Sequence, residues 1–361
     1  MKQGRDITGL VAEILRQENS KKDFLATTSV TTMVVEPEAN GSIAGWKPQL
    51  ALDDHGTFDI REVAHHQIGA RLNIPKRYYD RMLKESPLLL TKNVNHWLRS
   101  NAETRMIRTL DSKVRAFLSD RYRPLDNLDL LKVIMPIIHG ENTMKEKLEI
   151  QSCEVTERRL YIKATLPSLR QEVKVGDIVE AGIQITNSEV GLGSLTISPF
   201  LMQLRCMNGW KSDVSGLKKY HIGGRNGGDE EIQAFLKSDT KAAEDKAFFL
   251  KARDVTEGIL SPEVFGTLVD RMKGATEKKI EKDPVKSVEV VQKQFNLSDA
   301  ERGEVLRHLC EGGDLSAYGL GSAVTRTAED AQDYDRASEL EALGFKVLEL
   351  PKHDWQEIAL N

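Results

Sequence analysis

Residues 105–118 read Arg105-Met106-Ile107-Arg108-Thr109-Leu110-Asp111-Ser112-Lys113-Val114-Arg115-Ala116-Phe117-Leu118, and no other stretch narrows the possible folds as much. Two alternating runs flank the polar pair Asp111-Ser112, the pattern of a β-hairpin. A two-residue loop pairs Leu110 with Lys113, Thr109 with Val114 and Arg108 with Arg115. A four-residue loop keeps that register; a three-residue loop breaks it. In this register Ile107, Thr109, Val114, Ala116 and Leu118 share a face that can join a core. Met106, Arg108, Lys113, Arg115 and Phe117 share the other. Like charges opposed across a sheet are destabilising, so an anion or a carboxylate from elsewhere is expected between the two arginines. Cations beside an exposed ring suit a nucleic-acid strand, whose phosphates meet the charges and whose bases stack on the ring. The plainer alternative is that Asp or Glu side chains neutralise the arginines.

The chain has 361 residues, enough for one large domain or two ordinary ones. Its net charge of −4 excludes a globally basic nucleic-acid coat, so any such site must be a local basic patch. Cys153, Cys206 and Cys310 are far apart and form no CxxC, which fits a reducing, cytoplasmic setting. The first residues carry no apolar run behind a basic start, so no signal peptide is expected. No segment approaches 18 consecutive apolar residues, so no membrane span is expected.

Asp6 to Asn19 has helical apolar spacing, with Asp6 or Thr8 as cap. Leu25 to Val35 is β-branched and reads as one strand. Val63, Ala64, Ile68 and Leu72 line a helical face that Asn73-Ile74-Pro75 ends. Lys76 to Leu83 follows as a second helix, giving either a helix-turn-helix or a plain helical hairpin. In the first case Lys76, Arg77, Arg81 and Lys84 meet phosphate; Tyr78 and Tyr79 read as core anchors. Leu88 to Ser100 reads as short helix and loop. Asn127 is placed as the cap of a helix over Leu128 to Ile138. Strands are predicted over Leu148 to Val155, Leu160 to Leu166, Asp177 to Thr186 and Ser194 to Met207. A parity switch at Pro199 in the last predicts a bulge. A second basic cluster, Arg205, Lys211, Lys218, Lys219, His221 and Arg225, ends in a glycine-rich loop that lacks P-loop spacing.

From Asp229 onward the pattern is helical. Met272 to Pro284 reads as a polar linker, Gly344 as a helix stop and Phe345 to Leu350 as a short strand. No metal-ligand or nucleophile motif is present: His65 and His66 are adjacent, and there is no HxxxH, HExxH or GxSxG. Glu149, Glu154, Asp177 and Glu180, on strands, are the carboxylates a metal-dependent nuclease could use; a solvated strand face looks the same.

Gln67 to Pro75, Tyr78-Tyr79-Asp80, Arg115 to Tyr122, Gly193-Ser194-Leu195 through Arg205-Cys206-Met207-Asn208-Gly209, and Ala317 to Thr325 together resemble the uncharacterised phage/plasmid-like family. This is a domain-of-unknown-function group. The resemblance covers most of the chain from about Phe58 to Asp330. It implies carriage on phages, prophages and plasmids, whose accessory proteins often handle DNA. The layout is also similar to that of single-strand annealing recombinases of the RecT/Erf type, an analogy of architecture.

The expected fold is α+β: a mostly antiparallel sheet with a basic hairpin and packed helices, then an all-helical C-terminal region. The expected division is residues 1–228, with a helical hairpin at 58–85, and 229–361, with a linker near 272–284. The expected function is single-stranded-DNA binding, extending to strand annealing, by a homo-oligomer of a mobile genetic element, with no membrane partner. Neither catalytic residues, cofactor nor metal are expected. The candidate contacts are Arg105, Arg108, Lys113, Arg115, Phe117, Arg121, Tyr122, Arg123, Arg205, Lys211, Lys218, Lys219 and Arg225. Alternatives are a helix-turn-helix duplex binder, a metal-dependent nuclease, and a host-interaction protein without a nucleic-acid site.

Overall fold

The computed structural model describes residues 1–35, 46–122, 124–140, 146–193, 195–212, 217–219 and 238–360. Asp6 caps α1 (Ile7–Ser20), accepting a hydrogen bond from the Gly9 amide. The stretch expected as one strand is two, β1 (Lys22–Thr27) and β2 (Thr32–Val35), because the chain turns through residues 28–31. β3 (Pro48–Leu52), β4 (Gly56–Ile60), β5 (Thr104–Leu110) and β6 (Lys113–Ser119) complete a sheet of order β1-β5-β6-β4-β3-β2. Its pairings are antiparallel except β4–β6.

Three helices follow β4 in sequence: α2 (Glu62–Arg71), α3 (Lys76–Glu85) and α4 (Pro87–Ser100). The last is a full helix where a short one with loop was expected. Ile68, Tyr79, Met82, Leu90, Val94 and Leu98 from these helices pack on Leu50, Ile107, Val114 and Phe117 of the sheet. Tyr79 is thus the core anchor expected; Tyr78 is not, and points outward at 46% exposure.

The hairpin closes through Asp111 and Ser112, both at positive φ (53° and 57°), as a two-residue type I′ turn requires. Leu110 pairs with Lys113 and Thr109 with Val114, as expected, but Arg108 pairs with Ala116. The register shifts at Arg115, which is bulged out. Past the bulge, facing inverts, and Phe117 joins Ile107 and Val114 in the core. Both faces of the hairpin are covered. Ala116 and Leu118 pack with Val63, Tyr122 and Val190 on the second side.

Asp126, not Asn127, is the N-cap residue of α5 (Asn127–Ile138). The second sheet, β7 (Glu149–Val155), β8 (Leu160–Lys174), β9 (Asp177–Asn187), β10 (Leu195–Gln203) and β11 (Asn208–Lys211), is antiparallel, and β12 (Leu217–Lys219) also pairs β10. No bulge interrupts β9–β10 at Pro199. Pro199 falls between the segments that pair β12 (Leu195–Ile197) and β11 (Phe200–Gln203), so no neighbouring strand needs its missing N–H. The parity switch has another cause: nearly every residue of β10 is buried, whichever face it lies on.

The C-terminal region is helical: α6 (Ser238–Ile259), α7 (Pro262–Glu277), α8 (Pro284–Phe295), α9 (Asp299–Gly312), α10 (Ala317–Thr327), α11 (Tyr334–Leu348) and α12 (Lys352–Leu360). The expected linker at Met272 begins too early, since Met272 and Ala275 are core residues of α7. Gly344 does not stop α11, and Phe345 to Leu348 are helical rather than a strand. A Cβ on Gly344 would lie 2.2 Å from Thr325 Cγ2 and 2.8 Å from the Gly321 carbonyl oxygen. Glycine is therefore there to let α11 approach α10 closely. One continuous apolar core joins α1, α5, β7–β11 and the C-terminal helices.

This core also buries polar alternates of β8. Lys163, fully buried, pairs with Glu341 of α11 at 2.6 Å, and Tyr161 donates to Asp335 at 2.6 Å. Leu160, Ile162 and Ala164 alternate as a half-exposed strand would, yet α11 covers the polar side as well. The architecture is the expected α+β one, with mostly antiparallel sheets and a helical C-terminal region.

Candidate nucleic-acid interface

The hairpin arginines are interior. Arg108 is 0% exposed: its Nε donates to Asp23 (2.9 Å), Nη1 to the Glu189 carbonyl (2.9 Å) and Nη2 to Asp126 (2.8 Å). Burial opposes its charge, but Asp23 and Asp126 more than offset this and hold the guanidinium protonated. Arg115 is 4% exposed and donates through Nη1 to Glu189 Oε2 at 2.7 Å. The other oxygen of Glu189 accepts the Asn127 amide at the start of α5. Phe117 (3%) and Tyr122 (8%) are also inside, the tyrosine hydroxyl donating to the Ser188 carbonyl. Four expected contacts, Arg108, Arg115, Phe117 and Tyr122, are thus corrected to core positions. The hairpin face that carries Arg108 is covered by Val63 and Val190, and carboxylates from three segments, Asp23, Asp126 and Glu189, meet the two arginines.

The remaining expected residues are dispersed. Arg105 pairs with Glu103 and lies 5.8 Å from the centre of the Phe117 ring. Arg121 and Arg205 are exposed, and Lys211 ends β11 half-buried. Lys218 and Lys219 lie in β12, and their side chains are outside the described residues, as are Arg123 and Arg225. Lys113 is the candidate that lines a cationic cavity.

That cavity, of about 610 Å³, is built by the first sheet and its helices. Lys47 precedes β3, Arg61 precedes α2, Lys84 lies in the last turn of α3, and Lys113 starts β6 just past the hairpin turn. The parallel β4–β6 pairing sets Lys113 beside Asp59. Four cations therefore face two carboxylates, Asp59 and Glu157. Asp59 accepts from Gln49 at 2.8 Å and Glu157 pairs with Arg61 at 2.9 Å. Lys47, Lys84 and Lys113 are exposed and have no ionic or hydrogen-bond partner among the described residues. Trp46 lines one side, its buried indole N–H without a partner among the described residues, and Leu83 and Pro87 add apolar wall. His65, also lining the cavity, bonds Tyr79 Oη through Nδ1 at 2.9 Å. Burial pushes its pKa down to about 4, so the imidazole is neutral near pH 7. Three free ammonium groups beside an indole can hold phosphate oxygens and a base in one place.

The sequence offered little to find this cavity by. Lys113 belongs to the expected hairpin group and Lys84 to the expected second helix, but Lys47 carried no signal, and only the folding of β3, α3 and β6 together brings the three near one another. The expected second helix does form, but Lys76 pairs with Asp80 and Arg81 with Glu85 along its surface. Arg77 and Lys84 have no side-chain partner among the described residues.

The other cavities suit a polyanion less. One of about 250 Å³ lies between the β10–β11 turn and α9–α10, and Arg205 lines it. Its floor is Asp177, which accepts from Gln203 (2.8 Å) and Tyr318 (2.9 Å), while Lys174–Asp314 and Arg326–Glu311 pairs occupy its rim. Another, of about 760 Å³, carries six acids against two arginines, Arg158 and Arg336, around the Glu301–Arg336 pair. The nuclease carboxylates do not assemble: Glu180 is held by Arg170 and Glu154 by Arg5. Among the described residues, the grouping with metal-ligand geometry is Glu304, His308 and Asp330, within 4.8 Å of one another. The Arg307 guanidinium pairs with Glu304, lies 3.6 Å from Asp330 and contacts His308 at 3.2 Å, so that spot already holds a cation. No helix among the described residues is long and apolar enough to cross a membrane.

Comparison with curated proteins and with solved structures finds no match. The family described as Domain of unknown function (DUF932) matches residues 115–338, from the bulge of the hairpin to the first turns of α11. That span is well over half of the 361 residues, and the chain belongs to this family.

Proposed function

We propose that the protein binds single-stranded nucleic acid through the module formed by the first sheet and α2–α4. The observation that carries this reading is the cavity holding three lysines without a partner among the described residues, Lys47, Lys84 and Lys113, with Arg61 and Trp46. An unpaired ammonium is fully hydrated and exchanges that hydration for phosphate contact with little rearrangement. Counterions released from the strand supply the gain. A concave site with an aromatic wall suits a strand whose bases are free to turn inward better than a closed duplex. Strand annealing by an oligomer, in a phage or plasmid setting, is the wider form of this reading. In that form the strand runs over the lysine cavity rather than the hairpin arginines.

The test is fluorescence anisotropy with a labelled oligothymidylate and a matched duplex over a salt series. Preference for the single strand, with affinity falling steeply in salt, is expected. Lys84→Glu with Lys113→Glu should remove most of the binding. Salt-insensitive binding, or none by the unaltered protein, overturns the reading.

A further inference from the structure

The cavity that holds Lys47, Lys84 and Lys113 is deep as well as cationic. His65 lines it, although that residue is only 8% exposed and belongs to the buried face of α2. Arg61 lines it too. Its Nη1 pairs with Glu157, while its buried Nε has no partner among the described residues. Residues of β3, β4, α2, α3, α4, β6 and the β7–β8 turn all contribute to the walls. Walls drawn from so many elements make a pocket, which takes the end of a chain. A strand that enters and leaves needs an open trough.

The charge of the lining points the same way. Four cations, Lys47, Arg61, Lys84 and Lys113, face two carboxylates, Asp59 and Glu157, which leaves a net charge of +2 with His65 neutral. Both carboxylates are already engaged, Asp59 by the Gln49 amide and Glu157 by Arg61. The three ammonium groups therefore repel one another across a concave space, and such a space focuses their field. An internal phosphodiester carries one negative charge, and strand binding neutralises about one cation per phosphate. A terminal phosphate monoester carries close to two charges near pH 7 and offers three acceptor oxygens. It matches the net charge of the lining, and its three oxygens match the three lysines. Two internal diesters match the charge only if the strand passes through the pocket.

We infer that this cavity receives the phosphorylated end of a single strand. Lys47, Lys84 and Lys113 take the oxygens of the terminal phosphate. Trp46, with the apolar wall of Leu83 and Pro87, gives the adjoining nucleoside a surface to lie on, which free phosphate would leave bare. The inference rests on the nucleic-acid reading and deepens it: the strand meets the cavity through its end. The 5′ and 3′ ends offer the same monoester, and the experiment tells them apart.

The experiment compares three internally labelled oligothymidylates by anisotropy over a salt series. One carries a 5′-phosphate and one a 3′-phosphate. The third ends in hydroxyls and is one nucleotide longer, so that it holds the same number of phosphates. At least one phosphate-ended strand should bind about ten-fold or more tighter than the hydroxyl-ended one, since hydrogen bonds to a charged group are strong. The strand that does so names the end recognised. Lys84→Ala and Lys113→Ala should each cut the preference to about three-fold or less. Arg99→Ala, exposed and outside the cavity, should leave it unchanged. All three side chains are exposed, so the variants should fold, as circular dichroism will check. Equal binding of the three strands, with a steep salt slope, overturns the end site and leaves the nucleic-acid reading standing. So does a preference that Arg99→Ala removes as fully as Lys84→Ala. Failure to bind any of the strands overturns that reading and the inference with it; binding of a phosphoserine peptide in their place assigns the cavity to a phosphoprotein.

Discussion

Arg115 and Glu189 form a buried ion pair, 2.7 Å between Nη1 and Oε2, with the arginine bulged from the hairpin and the glutamate just beyond β9. The Glu189 carbonyl also receives Arg108, so one residue neutralises or accepts from both arginines and ties the first sheet to the second. Arg115 Nε and Nη2 have no hydrogen-bond partner among the described residues, so Glu189 is its main compensation there.

Glu189→Gln should therefore destabilise the protein by about 3–5 kcal/mol, the usual result of leaving one buried charge of a pair unmatched. Replacing both partners, as Arg115→Met with Glu189→Leu, should recover a large part of that loss. Urea midpoints measure both. A Glu189→Gln protein as stable as the parent would show that the pair contributes little.

In the lysine cavity, Lys113→Ala or Lys84→Ala should leave stability within about 0.5 kcal/mol, since each side chain is exposed and has no partner among the described residues. If each lysine meets one phosphate, each change should lower the slope of log affinity against log salt by about 0.7. Arg108→Ala, by contrast, should strongly destabilise the protein, because it removes a fully buried guanidinium that neutralises Asp23 and shares Asp126 with Lys21. The pair of measurements separates binding lysines from structural arginines.

Acidification should weaken the fold through His65. Its pKa falls from the ordinary 6.5 to about 4 on burial. Between those values the unfolded chain takes a proton that the folded chain refuses, so stability drops as pH falls through this window. The full effect is up to about 3 kcal/mol, reached near pH 4. Urea midpoints over this range, with His65→Phe as comparison, give the test: the variant should show a shallower decline.

Gly344→Ala should cost about 1–3 kcal/mol, since the added methyl would strike Thr325 and the Gly321 carbonyl across the α10–α11 contact. Gly266→Ala, in α7, meets nothing within 4 Å and should be neutral or slightly stabilising. Thermal melts of the two variants side by side give the comparison.

Local patterns were readable where local physics decides. Helix spacing and the Asp6 cap follow from residues a turn apart, and the hairpin turn follows from Asp111-Ser112. Polar residues that acquire distant partners were misread. Lys163 looks like an ordinary outward residue of an alternating strand until Glu341, far along the chain, covers it. Gly344 looks like a stop signal until α10 lies against it. Arg108 and Arg115 look like a phosphate grip until Asp23, Asp126 and Glu189 close on them.

The sequence by itself determined most of the helices, the hairpin with its turn, the long strands of the second sheet and the α+β class, because these depend on backbone preference and on residues a few positions apart. Only the tertiary structure decided which charges reach solvent. One bulged residue in β6 reverses the facing of everything after it, and a charge stays free only if no oppositely charged side chain arrives from elsewhere. Both are outcomes of packing between distant segments. The candidate interface consequently lies at Lys47, Lys84 and Lys113, which are far apart in the chain and share one cavity in the fold.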